Sequence, residues 1–231
     1  MNEENINNIE VTVESPSLLG MIMSPSEQFD RIKVIPKIWV PLIIISFLMM
    51  LGGVLSALSI DYSNDPAMQD ALDVLALDPQ VMIFITAIFA GIMSLFAPIF
   101  MVLVSSVIYL IIAKILKSDV SFRQLFSMNT FILMISVLSV LLNAVLSFIM
   151  PANTNILFSS LGSIIQTGNP IIDSVLSVFE VFTIWGLIIT AIGLQRVADF
   201  SKKAAITVVV LMFLISVTFA AIAGFIMTLG V

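Results

Sequence analysis

The sequence predicts an all-α integral membrane protein with five transmembrane helices, a cytosolic amino terminus and a carboxyl terminus outside. The first observation behind this prediction is the composition, which is 60% hydrophobic and 10% charged, with a mean hydropathy of +1.17. A soluble domain is about half apolar and about a quarter charged, so the composition excludes that class. The other two observations are the lengths of the apolar stretches and the placement of the basic residues.

The composition also excludes several kinds of chemistry. Nine basic residues against fifteen acidic ones argue against nucleic-acid binding, which requires the opposite balance. The absence of Cys and His removes thiol chemistry, imidazole acid–base catalysis and most zinc sites. The sequence contains no phosphate-binding GxxxxGK[ST] loop, and no serine in an apolar stretch lies beside a lysine. We therefore predict a protein that is not an enzyme and binds no cofactor or metal.

Residues 1–37 are the long polar stretch of the chain and are predicted to stay in the cytosol, because their acidic start is unlike a secretory leader. Ser15-Pro16 precedes a short apolar run, and Ser24-Pro25-Ser26-Glu27 has the form of a capping box. The pattern predicts two short amphipathic helices on the inner membrane face, with a disordered tail as the alternative. Residues 38–231 are then predicted to form a five-helix transmembrane domain.

Each of five apolar stretches can cross a hydrocarbon core of about 30 Å, which takes about 20 helical residues. They comprise residues 38–60, 81–113, 130–150, 175–194 and 204–229. The second stretch has 33 residues, which is too long for one crossing and too short for two crossings with a turn. We expect it to form one long helix that is kinked near Pro98 or projects beyond the bilayer.

All nine basic residues lie in three of the polar segments. They are Arg31, Lys33 and Lys37, then Lys114, Lys117 and Arg123, then Arg196, Lys202 and Lys203. The loops at 61–80 and 151–174 contain none, so with five crossings every basic residue falls on one side. Basic residues are enriched in cytoplasmic loops, which predicts the amino terminus inside and the carboxyl terminus outside.

The loop at 61–80 is acidic and has no basic residue. Asp65-Pro66 predicts the start of a short helix whose acidic face includes Asp70 and Asp73. A solvated acidic face is the favoured interpretation, because no EF-hand spacing is present. Binding of calcium or a cationic peptide is the alternative.

Glu180 and Asn143 are the candidate intramembrane polar residues. An ionisable group inside a span often belongs to a proton or ion pathway. A span that begins at Val175 places Glu180 only about 7 Å from its outer end, at about 1.5 Å per residue, so an interfacial structural role is the competing interpretation. Asn143 is expected to hydrogen-bond across to a neighbouring helix.

Pairs of small residues four positions apart predict close helix packing, either within the chain or between copies of a homo-oligomer. The pairs are Gly53 with Ala57, Ala87 with Gly91, and Ala220 with Gly224.

The chain resembles the bacterial branch of the YIP domain family of membrane proteins. The matching stretches are residues 24–32 (SPSEQFDRI), residues 120–125 (VSFRQL) and the end of the fourth span with its exit, residues 185–205. Their order and spacing relative to the spans extend the resemblance over about residues 20–229. Eukaryotic members bind Rab-type GTPases and carry an Asp-Leu-Tyr-Gly-Pro motif before the first span. This chain has PKIWVP at residues 36–41, so GTPase binding is not expected.

The resemblance implies a non-enzymatic, multi-pass protein of the cell membrane that assists another machine. One bacterial member is encoded with an ABC-type exporter, which implies ABC transporter and adaptor subunits as partners and protection against a toxic peptide. The expected inner-face contacts, which equally suit anionic lipid headgroups, are Lys114, Lys117, Arg123, Arg196, Lys202 and Lys203. The alternative function is a small transporter or channel that uses Glu180 and Asn143.

Overall fold

A computed structural model describes residues 14–60, 78–150 and 157–229 of the chain. The described residues form eight α-helices, one 3-10 turn at Leu161–Ser163 and no β-sheet. The helices are α1 (Leu18–Met23), α2 (Pro25–Val34), α3 (Trp39–Leu58), α4 (Pro79–Ile115), α5 (Phe122–Ile149), α6 (Pro170–Val178), α7 (Val181–Val197) and α8 (Lys202–Thr228). The all-helical fold class is therefore confirmed for the described part of the chain. The predicted acidic helix after Asp65-Pro66 lies outside the described residues.

Four of these helices, α3, α4, α5 and α8, are long and apolar enough to cross a membrane. The helix α7 is also apolar but has only 17 residues, a length of about 26 Å at 1.5 Å per residue. The helix α4 has 37 residues and continues through Pro98, so the prediction of a single long helix in this region is confirmed. The structure thus contains four to five candidate membrane helices.

The helices begin at the side chains that cap them. Asp78 and Ser121 accept hydrogen bonds from the first backbone amides of α4 and α5, and Ser121 also forms a capping box with Gln124. The capping box predicted at Ser24 is wrong, because the Ser24 side chain makes no such bond and Glu27 pairs with Arg31 instead.

The fourth apolar stretch is broken into two helices, so the prediction of one continuous helix over residues 175–194 is wrong. Between α6 and α7 the backbone pairs with the loop that precedes α6. The carbonyl of Phe179 accepts from the amide of Leu161 at 3.0 Å, and the amide of Val181 donates to the carbonyl of Ser159 at 3.2 Å. These bonds replace helical hydrogen bonds for the backbone at the break.

Small residues lie where the helices approach most closely. Gly53 on α3 faces Ala90 on α4, and Gly91 on α4 faces Val54 on α3. Gly224 on α8 lies against the first turn of α6, where a Cβ atom would come within 2.5 Å of the Pro170 carbonyl oxygen. The prediction that small residues mark packing faces is confirmed for these contacts within the chain.

The two amino-terminal helices pack into the bundle. Met21, Phe29 and Ile32 are fully buried in the same apolar cluster as Leu125 of α5 and Leu194 of α7. Part of the apolar surface of α1 and α2 therefore contacts protein side chains, while Leu19 and Met23 of α1 stay exposed.

Ion pairs and hydrogen bonds hold α2 at the end of the bundle that carries the basic loops. Lys33 pairs with Asp199 at 2.6 Å, and Arg196 pairs with Asp30 at 3.4 Å. The Gln124 side chain donates to the Lys33 carbonyl at 2.7 Å, which connects α2 to the start of α5. These contacts fix the amino-terminal helices relative to both basic loops.

We predict that Phe29→Ala lowers the free energy of unfolding by about 3–5 kcal/mol, because it empties a fully buried position between α5 and α7. The measurement is a denaturant titration of the detergent-solubilised protein. Met23→Ala is the matched control in α1, where the Met23 side chain is 87% exposed, and it should change the free energy by less than about 0.5 kcal/mol. Equal losses in the two variants would show that α2 is not docked.

Candidate functional site

A cluster of buried polar side chains lies at the break between α6 and α7. Both of the intramembrane candidates from the sequence, Glu180 and Asn143, belong to it, and Ser139 and Ser159 connect them. The hydroxyl of Ser139 donates to Oε1 of Glu180, and the hydroxyl of Ser159 donates to the same oxygen at 2.9 Å. The structure thus brings α5, the loop before α6 and the start of α7 together at one carboxylate.

The second carboxylate oxygen of Glu180 caps α7. Oε2 accepts from the backbone amide of Thr183 at 3.1 Å and from the Thr183 hydroxyl at 2.7 Å. A carboxylate at this position is also stabilised by the partial positive charge at the amino-terminal end of the helix. The same residue therefore ends the non-helical break and starts α7.

Asn143 holds the loop residue Ser159 in place. Its Nδ2 atom donates to the Ser159 hydroxyl at 2.8 Å and to the Ser139 carbonyl at 2.9 Å. Its Oδ1 atom accepts from the Ser159 amide at 3.3 Å. The prediction that Asn143 hydrogen-bonds to a neighbouring helix is therefore wrong, because its partner outside α5 is Ser159 of the loop.

The cluster is shielded from solvent and contains no basic residue. Glu180 is 4% exposed and Asn143 is 5% exposed. Every Lys and Arg of the sequence belongs to the three basic segments, so none of them can neutralise this carboxylate at short range. Four hydrogen bonds solvate Glu180, but no side chain supplies an opposite charge.

The helix boundaries place Glu180 farther from the start of its apolar segment than the sequence suggested. The helix α6 begins at Pro170 rather than Val175, so Glu180 is ten residues after its first residue. Ser139 is likewise ten residues from the end of α5 at Ile149. The distance of about 7 Å between Glu180 and the outer end of a span stays a prediction from the sequence.

Sequence reasoning missed three members of the cluster: Ser139, Ser159 and Thr183. Ser139 is four residues before Asn143, and Thr183 is three residues after Glu180, so helical spacing could have suggested both. Ser159 carries no such signal, because it reaches Glu180 through a loop whose path depends on tertiary contacts.

The predicted inner-face residues lie at the opposite end of α7 from the cluster. Five of these six predicted residues are exposed and form no ion pair with any described residue: Lys114, Lys117, Arg123, Lys202 and Lys203. Arg196 differs, because it pairs with Asp30. The Ser118 hydroxyl donates to the Ala198 carbonyl at 2.6 Å, so the loop between α4 and α5 adjoins the loop between α7 and α8. We call these five unpaired side chains the basic inner face.

Two comparisons with known proteins cover nearly the whole chain. The Yip1 domain matches residues 19–224. Membrane protein YknW of Bacillus subtilis (strain 168) is 34% identical over 220 residues, which is 92% of this chain and 92% of that protein. No solved structure matches the chain significantly.

Proposed function

The chain belongs to the Yip1 domain family and is a multi-pass membrane protein, and from this premise we propose that it assists or assembles with an ABC-type export complex. The proposed partners are the transporter and adaptor subunits, and the proposed benefit to the cell is protection against a toxic peptide. The proposed location is the plasma membrane. The proposed role is non-enzymatic.

The observation that carries this proposal is the similarity to YknW along nearly the full length of both chains. A chain of this kind has no nucleotide-binding loop of its own, so a part in active export requires another subunit to couple energy. The family resemblance suggests an ABC-type transporter as that partner, because a bacterial member is encoded with an ABC-type exporter. The proposed role is therefore that of an accessory subunit.

The proposed contact surface is the basic inner face together with Arg196 and the docked amino-terminal helices. Unpaired cations are complementary to an acidic protein surface and equally to anionic lipid headgroups. The hydrogen bond between Ser118 and Ala198 supports treating the two loops as one surface. The alternative partner at this surface is a second copy of the same chain. Co-purification distinguishes such a homo-oligomer from a complex with a transporter.

We propose a topology of five crossings, in which α6 and α7 together make the fourth. The amino terminus and residues 1–37 lie in the cytosol, residues 38–231 form the transmembrane domain, and the carboxyl terminus lies outside. The support is the restriction of all nine basic residues to alternate segments. The 17-residue length of α7 also supports it, because α7 needs α6 to reach across a 30 Å core.

A small transporter or channel is the second candidate function, and the Glu180–Asn143 cluster favours it. A buried carboxylate at a helix break is typical of ion and proton paths in membrane proteins. In this case the protein itself moves an ion, and the polar cluster lies on its route.

Co-purification tests the accessory role. From gently solubilised native membranes, the tagged protein should recover the ATPase and permease subunits of one ABC transporter. Substituting Lys114, Lys117 and Arg123 together with Gln should lower this recovery about threefold or more, because each exposed ion pair contributes about 0.2–1 kcal/mol. Lys37→Gln, outside both basic loops, is the control. Recovery of the tagged protein with only untagged copies of itself would contradict the proposal.

A reporter at each terminus tests the topology. A tag that fluoresces only in the cytosol should be bright at the amino terminus and dark at the carboxyl terminus, while a periplasm- or exterior-active enzyme should show the reverse. A bright carboxyl-terminal reporter would mean an even number of crossings and would refute the five-span topology.

Ion flux into liposomes tests the second candidate. If the chain is a transporter, reconstituted wild type should conduct ions or protons, and Glu180→Gln should abolish the flux by removing the charge from the path. Glu27→Gln changes an exposed glutamate on α2 and should leave the flux unchanged. The absence of flux from wild type rules the transporter out, and equal flux from wild type and Glu180→Gln rules out a path through Glu180.

A further inference from the structure

We propose that residues 1–13, which we call the acidic segment, dock on the basic inner face of the same chain and occupy it until an acidic partner displaces them. The inference rests on the proposed function in one respect, since it assigns a competing occupant to the proposed contact surface, but the contact itself requires no transporter. Three observations carry it: the surplus charge of the face, the place where the described chain begins, and the chemistry of the acidic segment.

The basic inner face has more positive charge than the described residues around it balance. Its five cations are exposed and form no ion pair with any described residue. Two nearby carboxylates are already paired, Asp199 with Lys33 at 2.6 Å and Asp30 with Arg196 at 3.4 Å. Asp119 is the remaining carboxylate of the loop between α4 and α5. Five cations against one carboxylate are complementary to an acidic occupant.

The described chain begins with a contact of the same kind. The Glu14 carboxylate pairs with the Arg31 guanidinium at 2.6 Å, and Arg31 also donates to the Ser15 carbonyl at 3.4 Å. The residue that follows the acidic segment is therefore held on α2 by an acid–base pair.

The point of attachment on α2 lies beside both basic loops. Two residues after Arg31, the Lys33 carbonyl accepts from the Gln124 side chain at 2.7 Å, and the Lys33 ammonium group pairs with Asp199. Gln124 directly follows a cation of the face, and Asp199 comes three residues before another. Thirteen extended residues span up to about 45 Å, whereas α2 is only about 15 Å long. The acidic segment can therefore reach either loop.

The acidic segment matches the face in charge and in polarity. It contains Glu3, Glu4 and Glu10 and no lysine or arginine. Apolar side chains also belong to the surface that it would cover, since Ile115 is 74% exposed and Leu116 is 46% exposed. The segment offers four aliphatic side chains to them, Ile6, Ile9, Val11 and Val13.

Attachment to the same chain compensates for the weakness of exposed ion pairs. A single exposed pair contributes little, and salt screens it over about 8 Å at physiological ionic strength. A segment joined to its binding surface is present at an effective concentration of about a millimolar. A few weak pairs are then enough to occupy the face, while a partner with more negative charge still displaces them.

Disulfide formation tests the contact, because the sequence has no cysteine of its own. Asn7→Cys is combined with Leu116→Cys, an exposed position whose change leaves every cation in place. In uncharged detergent at low salt, the initial rate should be about fivefold or more above the rate in a background with Glu3, Glu4 and Glu10 changed to Gln, and about 0.5 M NaCl should remove this excess. Equal rates in the two backgrounds, or an excess that persists in high salt, would overturn the proposal.

Two controls match this experiment. Substituting Asp65, Asp70 and Asp73 with Asn removes the same charge from the loop at 61–80 and should leave the rate unchanged. Asn7→Cys combined with Ile149→Cys, which is exposed at the other end of α5, should form no disulfide within one chain. An equal loss of rate in the Asn background would show an effect of net charge alone and would refute docking of the acidic segment.

Two further measurements distinguish the acidic segment from other occupants. Protein with only Asn7→Cys, mixed with protein with only Leu116→Cys, should form no cross-linked dimer, and dimers formed at the rate of the double variant would assign the contact to a second copy instead. In nanodiscs that contain phosphatidylglycerol, the excess rate should persist. Its loss there, with retention in phosphatidylcholine alone, would assign the face to lipid headgroups and contradict the proposal. All these measurements use purified protein, so the recovery of transporter subunits is tested separately.

Discussion

The buried interior of the helix bundle provides no bulk water for hydrogen bonding, and this constraint explains why the polar cluster is built as it is. Each peptide group and each buried charge must find its partner inside the protein. At the break between α6 and α7, the loop at Ser159–Leu161 supplies those partners to the backbone. Glu180 can be placed there because Ser139, Ser159 and Thr183 together give its carboxylate four donors. The loop thus supplies hydrogen-bond partners both to the backbone of the break and to the buried carboxylate.

The same constraint determines which parts of the fold the sequence could predict. Apolar length is a local property, so α3, α4 and α8 could be placed, and α4 could be recognised as one helix through Pro98. The break could not be predicted, because the residues on either side of it are as apolar as those of a continuous span. What stabilises the break is a loop about twenty residues earlier in the chain, and no periodicity reports such a contact.

The candidate site was predicted in the same partial way. Glu180 and Asn143 stood out because polar groups are rare in apolar stretches, and the structure places both in one cluster. Their hydrogen-bond partners could not be predicted, because they depend on the break between α6 and α7. At the amino-terminal end, periodicity indicated α1 and α2, but their position depends on pairs such as Lys33 with Asp199, which are 166 residues apart in the chain.

The helix α7 connects the two ends of the molecule that the proposed roles use. Its first turn is capped by Glu180, and its last turn holds Arg196, which pairs with Asp30 of α2. The helix is about 26 Å long, and Gly193 near its end is packed so closely that a Cβ atom there would lie 3.0 Å from the ring of Phe29. This close fit and the ion pair between Arg196 and Asp30 join α7 to the docked amino-terminal helices. The same helix therefore carries the cap formed by Glu180 at one end and the contacts to α2 at the other, so its position depends on both the buried polar cluster and the docked amino-terminal helices.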